Sequence, residues 1–217
     1  MSNEGLGGTK DRIARVEERQ PGQWRTISSD FLFLASKIYK LSEQEARISP
    51  GGNSSQMVFA GVPLLVSSIY ALIIECESIG IVGPPDVAPM EALPRVLQTR
   101  YGLSGEQLKD FRCLCEIRNE IVHPVPLPPG TSDNWPDYLR RIKNKKLVVE
   151  HPDSGAHGSF FDQMASHELF AWAVYVTYVA YQAVIRSIPD QGMLLQFFLT
   201  TFGSFLNSED RKPVRKS

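Results

Sequence analysis

Apolar residues recur every three or four positions through Phe31, Leu34, Ile38 and Leu41, the period of a helix with one buried face. Ser28, Ser29 and Asp30 stand just ahead of this run and offer N-cap oxygens, so a first core helix is expected from about residue 30. The polar stretch Ser42 to Ser55, with Pro50-Gly51-Gly52 inside it, predicts a turn. A strongly apolar second helix follows over about 57–80, with Pro63 near its start and Gly80 as its stop. Gly83 to Pro89 reads as a loop, and Met90 to Arg100 as a short helix inserted between the second and third core helices. The third core helix is the best punctuated. Ser104 with Gln107 three residues on makes a capping box, and Leu108, Phe111, Leu114, Cys115, Arg118, Ile121 and Val122 follow at spacings of three and four. Pro124 disfavours helical geometry at His123, which ends the helix there.

From Val125 to His157 the composition turns to Pro, Gly, Asp and charge, a long connection before the fourth core helix. It holds a basic cluster, Arg140, Arg141, Lys143, Lys145 and Lys146, and Lys146 to Glu150 reads as a short strand leading to a turn at Pro152-Asp153-Ser154-Gly155. The last core helix is expected from about Phe160 to Ile188, with Phe170, Trp172, Tyr175, Tyr178 and Tyr181 along it. After Pro189 a further apolar helix runs to Leu206, a candidate for packing against a second copy, since an exposed patch of that size is a liability. No internal repeat is visible. The expected fold is all-α: an up-and-down four-helix bundle over residues 28–188, with an insertion between core helices 2 and 3 and a long loop between 3 and 4. A flexible tail, 1–27, precedes it, and the extra apolar helix with a charged tail, 189–217, follows.

Composition narrows the function classes. The chain has 217 residues, 42% hydrophobic and 22% charged, ordinary for a folded domain, and a net charge of −1, so any nucleic-acid binding must come from a local patch. Cys76, Cys113 and Cys115 lie in apolar helical patterns, which fits buried thiols in a reducing compartment, and no spacing matches a zinc knuckle. His151, His157 and His167 lack zinc-ligand spacing too, so neither metal nor cofactor is expected. No basic-then-apolar leader opens the chain, and the reading is cytoplasmic. Glu75 and Glu77 at the end of one long apolar run, and Thr177 and Gln182 within the other, favour core helices over membrane spans.

Candidate chemistry collects at Glu116-Ile117-Arg118-Asn119-Glu120-Ile121-Val122-His123-Pro124. Arg118, Asn119 and His123 put a guanidinium, an amide and an imidazole within six residues. In an unbroken helix residues five apart point about 140° from each other, and the break at Pro124 frees His123 to turn towards Arg118. This stretch resembles the HEPN domains (higher eukaryotes and prokaryotes nucleotide-binding), whose mark is an Arg, a polar residue after it, and a His four to six residues beyond the Arg. The resemblance covers about residues 28–188 and implies a four-helix bundle, dimeric, with Arg and His near the end of the third core helix facing a cleft between subunits. The activity it implies is metal-independent RNA cleavage, in a toxin or phage-defence role.

The chemistry is self-consistent. An imidazole, with a reference pKa of about 6.5, can take the 2′-hydroxyl proton or protonate the leaving oxygen. An Arg can clamp the scissile phosphate, and Asn119 can orient either group. One such His per chain leaves one proton transfer unfilled, which a second copy's His123 would supply. The basic cluster is a candidate RNA contact, beside the alternative of a solvated charged surface. In HEPN toxins silenced by a nucleotidyltransferase a Tyr stands two residues after the His. Here that residue is Val125, so control would need a different antitoxin or sensor partner. The alternative reading is a non-catalytic helical dimerisation or interaction module, with Arg118 paired to Glu116 or Glu120 and His123 serving only the helix end.

Overall fold

A computed structural model describes residues 26–49, 53–78, 90–124, 136–149, 163–188 and Phe202. The elements are α1 (Ile27–Ile48), α2 (Val58–Ser78), a 3-10 turn (Met90–Ala92), α3 (Leu93–Tyr101), α4 (Gly105–Val122), α5 (Asp137–Asn144) and α6 (His167–Arg186). The chain is all-α: among the described residues the only extended pairing is one antiparallel bridge between Ser54 and Ser166.

Four of these helices share one core. α2 and α6 pack on each other and each on both α1 and α4, and α3 and α5 lie against α4. Hydrogen bonds between helix ends give the directions. Ser28 at the start of α1 donates its N–H (3.1 Å) and Oγ–H (2.6 Å) to the Glu75 carboxylate at the end of α2, so these two helices are antiparallel. Ser42 near the end of α1 meets Nδ1 of His167, the first residue of α6, at 3.0 Å. Tyr181 of α6 donates to the Ser68 carbonyl of α2 at 3.1 Å, which runs α6 alongside α2. Leu32, Leu65, Ile69, Leu97, Phe111, Leu114, Ile117, Leu169 and Phe170 are buried between them. Gly61 is required by this packing: a Cβ there would stand 1.9 Å from the Phe170 ring, so the α2–α6 approach depends on its absence.

Among the described residues one acid, Glu77, is buried, and it is matched rather than orphaned. Glu77 on α2 pairs with Arg100 on α3, which fixes the inserted helix to the bundle. Gly102 ends α3 in the left-handed region at φ 70°, returning the chain into α4. α2 and α6 are both long and apolar enough to cross a membrane by length and composition, and 50% and 56% of their most apolar windows are buried inside the fold.

Several expectations are corrected. α1 runs through the polar stretch to Ile48 because Ser42 and Ala46 continue its buried face and Arg47 pairs with Glu43 one turn back at 2.6 Å. Its N-cap is Thr26, whose side chain accepts from the Ser29 N–H, ahead of the residues expected to cap it. Ser104 does cap α4 in extended backbone geometry, but its side chain makes no capping bond, so the capping box is not formed. Residues 137–144 form α5 rather than loop, since Tyr138, Leu139 and Ile142 give it a buried face, and Lys146 to Val149 form no strand. α6 starts at His167, not Phe160: Ser166 is extended, bridges Ser54 and accepts the Leu169 N–H. The expected tail at 1–25, the Pro50-Gly51-Gly52 turn, the Gly80 stop and the loop to Pro89 lie outside the described residues. So do Val125, His151, His157, the Pro152–Gly155 turn and all of the C-terminal apolar stretch but Phe202. Phe202 is buried on this chain's own α6, against Tyr178 and Tyr181 with ring centroids 5.5 and 5.3 Å apart.

Candidate functional site

The site grows from the register of α4. Phe111, Leu114 and Ile117 point into the core, which fixes where the last turn presents its polar residues. Arg118 is half-buried, and Asn119 and His123 are exposed. His123 is the C-cap, with φ −132° and ψ 67° ahead of Pro124, and its N–H donates to the Asn119 carbonyl at 2.7 Å.

Arg118 and Asn119 are joined directly. Nη1 of Arg118 donates to Oδ1 of Asn119 at 3.0 Å. Nε of Arg118 is buried and has no acceptor among the described residues. Arg118 makes no ion pair among the described residues, with Glu116 and Glu120 included, and Glu120 instead accepts from the Tyr138 hydroxyl at 3.3 Å. A buried donor with no partner among the described residues costs free energy, so this guanidinium has a hydrogen bond still to give.

Beside it α2, the 3-10 turn, α3 and α4 enclose a cavity of about 160 Å³. Val66, Met90, Pro94 and Cys115 line it with apolar surface, and Glu91, Arg112, Glu116, Arg118 and Asn119 bring charge and hydrogen-bonding groups. Arg112 is steadied by Gln98, to whose Oε1 it donates at 3.1 Å. Burial holds the Glu116 carboxyl above its ordinary range, Asp137 adds to the effect and Arg112 opposes it. Burial likewise pushes the Cys115 thiol up, so it is an inert wall rather than a nucleophile.

His123 is not part of that lining, and its ring hydrogen-bonds to none of the described residues. Within one chain, then, Arg118 and Asn119 are joined by a side-chain hydrogen bond, and His123 is exposed at the end of the same helix.

The basic cluster has a definite structural use. α5 lies on α4, with the Cys113 thiol donating to the Tyr138 carbonyl at 3.7 Å. Arg141 bridges Glu106 and Asp110 at 2.6 and 2.7 Å, Lys145 reaches Asp110 at 3.2 Å, and Arg140 pairs with Asp137 on its own helix. Hydrogen bonds from Lys109 and then from Arg141 hold the Glu106 carboxyl down at about 2. Lys143 and Lys146 are exposed, Lys146 in the left-handed region at φ 58°. Arg141 and Lys145 are therefore matched by carboxylates at the N-terminal half of α4, and Arg140 by Asp137 of its own helix.

Sequence reasoning missed the cavity itself. Arg112, Cys115, Glu116 and Asn119 recur at spacings of three and four, so one wall was present in the pattern. Val66, Met90 and Glu91 come from other elements, and only tertiary packing brings them there. Among the described residues no group of three His, Cys, Asp or Glu side chains is placed to hold a metal ion. Compared with known proteins, the chain matches no family model, no curated protein and no solved structure.

Proposed function

We propose that this chain is a metal-independent endoribonuclease of HEPN type, an up-and-down four-helix bundle that acts as a cytoplasmic homodimer in a toxin or phage-defence role. The reading rests on one observation above the rest: among the described residues Arg118, oriented by Asn119, has a buried Nε–H without an acceptor and no ion pair. A purely structural Arg at a helix end would be expected to satisfy itself on a carboxylate or on the last carbonyls.

In the proposed reaction Arg118 donates to the non-bridging oxygens of the scissile phosphate, and Asn119 fixes its plane. One imidazole removes the 2′-hydroxyl proton as O2′ attacks phosphorus, the P–O5′ bond breaks, and a second imidazole protonates O5′. His123 of each of two copies would take these two parts, which is why its exposure at the helix end suits the reading. The products are a 2′,3′-cyclic phosphate and a 5′-hydroxyl, and DNA, lacking the nucleophile, is left intact.

RNA incubated with the purified chain in excess EDTA tests this. Expected are cyclic-phosphate ends, lost in Arg118→Ala and His123→Ala proteins that keep the wild-type melting curve. Intact RNA at every protein concentration, or undiminished cutting by His123→Ala, overturns it.

A second reading, a helical interaction module without catalysis, is favoured by a different observation. Ile27, Leu34, Leu41 and Ile48 of α1 repeat every seven residues and are 63%, 47%, 49% and 85% exposed. An apolar seven-residue repeat left in solvent is the pattern of a helix that packs along another helix. Under that reading Leu34→Glu with Leu41→Glu would abolish association, and RNA would stay uncut by wild-type and variant protein alike.

A further inference from the structure

The cavity at Arg118 carries chemistry that clamping a phosphate does not use. A phosphate needs cations and hydrogen-bond donors. This cavity also presents an apolar wall of Val66, Met90 and Pro94, and two carboxylates, Glu91 and Glu116. Carboxylates repel a phosphate, so their place beside Arg118 calls for a different ligand group. The volume, about 160 Å³, falls below the few hundred Å³ of a site for a whole drug-sized ligand and suits one flat heteroaromatic ring.

We propose that this cavity is a guanine subsite, taking the base of a nucleotide that flanks the phosphate held at Arg118. The inference rests on the RNA reading of the site for the position of that phosphate. The chemistry of the four bases selects guanine. Its N1–H and N2–H₂ donors lie side by side and meet one carboxylate in a paired contact, and its O6 and N7 accept from a guanidinium in the manner of Arg on guanine. Glu91 or Glu116 can supply the first contact, and Arg112 the second. Adenine would turn its N1 lone pair towards the carboxylate. Uracil has a single N3–H between two carbonyls, and cytosine brings one amino group and a smaller ring. The ring faces would lie on Met90 and Pro94, apolar and adaptable surfaces for a base taken out of a single strand.

The test uses full-length His123→Ala protein, which binds without cutting, titrated calorimetrically with GMP, AMP, CMP and UMP. GMP is expected to bind at least about tenfold more tightly than the other three, near the lower end of what a paired base contact contributes. Both carboxylates are exposed, so the double variant Glu91→Gln, Glu116→Gln should fold normally, as its melting curve would show, and lose that preference. Equal binding of the four nucleotides, no binding of GMP at millimolar concentration, or a preference unchanged in the double variant overturns the proposal. Mapping the ends of RNA cut by wild-type protein separates the two readings. Cyclic-phosphate ends without selective GMP binding sink the guanine subsite and leave the ribonuclease standing. Selective GMP binding by a protein that cuts nothing does the reverse.

Discussion

Arg118 and Glu106 sit on the same helix and show opposite ways of treating a charge. Among the described residues Arg118 keeps a buried donor unmatched, while Glu106 is exposed yet held by Lys109 and Arg141. The carboxyl of Glu106 ionises at about 2 in the fold, against 4.5 when free. A group whose folded value is depressed stabilises the fold above its unfolded value, and the contribution disappears as pH falls from 4.5 towards 2. Because Glu106 is exposed, salt screens its partners. The Glu106 titration, followed by carboxyl carbon NMR, is therefore expected to move up towards 4.5 in Lys109→Ala, by a smaller step in Arg141→Ala, and in wild-type protein at molar salt. A midpoint that stays near 2 in both variants would mean that neither cation holds it.

At the scale of elements, helix starts separate what the sequence states from what packing decides. Ser104 and Ser166 are both N-caps, yet only Ser166 accepts a backbone N–H, that of Leu169 at 3.3 Å. Losing a cap that bonds costs about 1 kcal/mol, so Ser166→Ala should lower the unfolding free energy by about that amount in urea titrations. Ser104→Ala should cost less than half as much, although Ser104 has the stronger sequence signature. The helical class, the third core helix and its end at His123 were legible, because apolar periodicity and Pro124 act locally. The end of α1 was not, since Ser42 is buried there only because His167 comes from far along the chain to meet it. α5 was half-legible: Tyr138, Leu139 and Ile142 have helical spacing, but they are interleaved with basic residues, and the carboxylates that hold Arg141 and Lys145 lie on another helix. The same limit applied at the site. Arg118 and Asn119 could be read as neighbours, whereas the cavity beside them needs Val66 and Met90 from distant segments.

For the whole molecule the decisive quantity is how many copies make one site. Arg118 and Asn119 are joined within a chain, and His123 is exposed at the end of the same helix. A reaction that needs one imidazole to take a proton and another to give one is then incomplete in a single chain, given one His at this helix end. Under the proposed shared cleft, a mixed dimer of wild-type and His123→Ala chains carries a single imidazole and is inactive. If the copies exchange freely, a tenfold excess of His123→Ala leaves roughly one wild-type chain in ten with a wild-type partner, and wild-type cleavage should fall by about tenfold. Dilution acts in the same direction, because activity per chain drops once the concentration falls below that needed for association. A cleft complete within one chain behaves otherwise: added His123→Ala protein changes nothing beyond competition for RNA, which excess substrate removes. The titration thus reads out directly whether the exposed end of α4 works alone or only against its own copy.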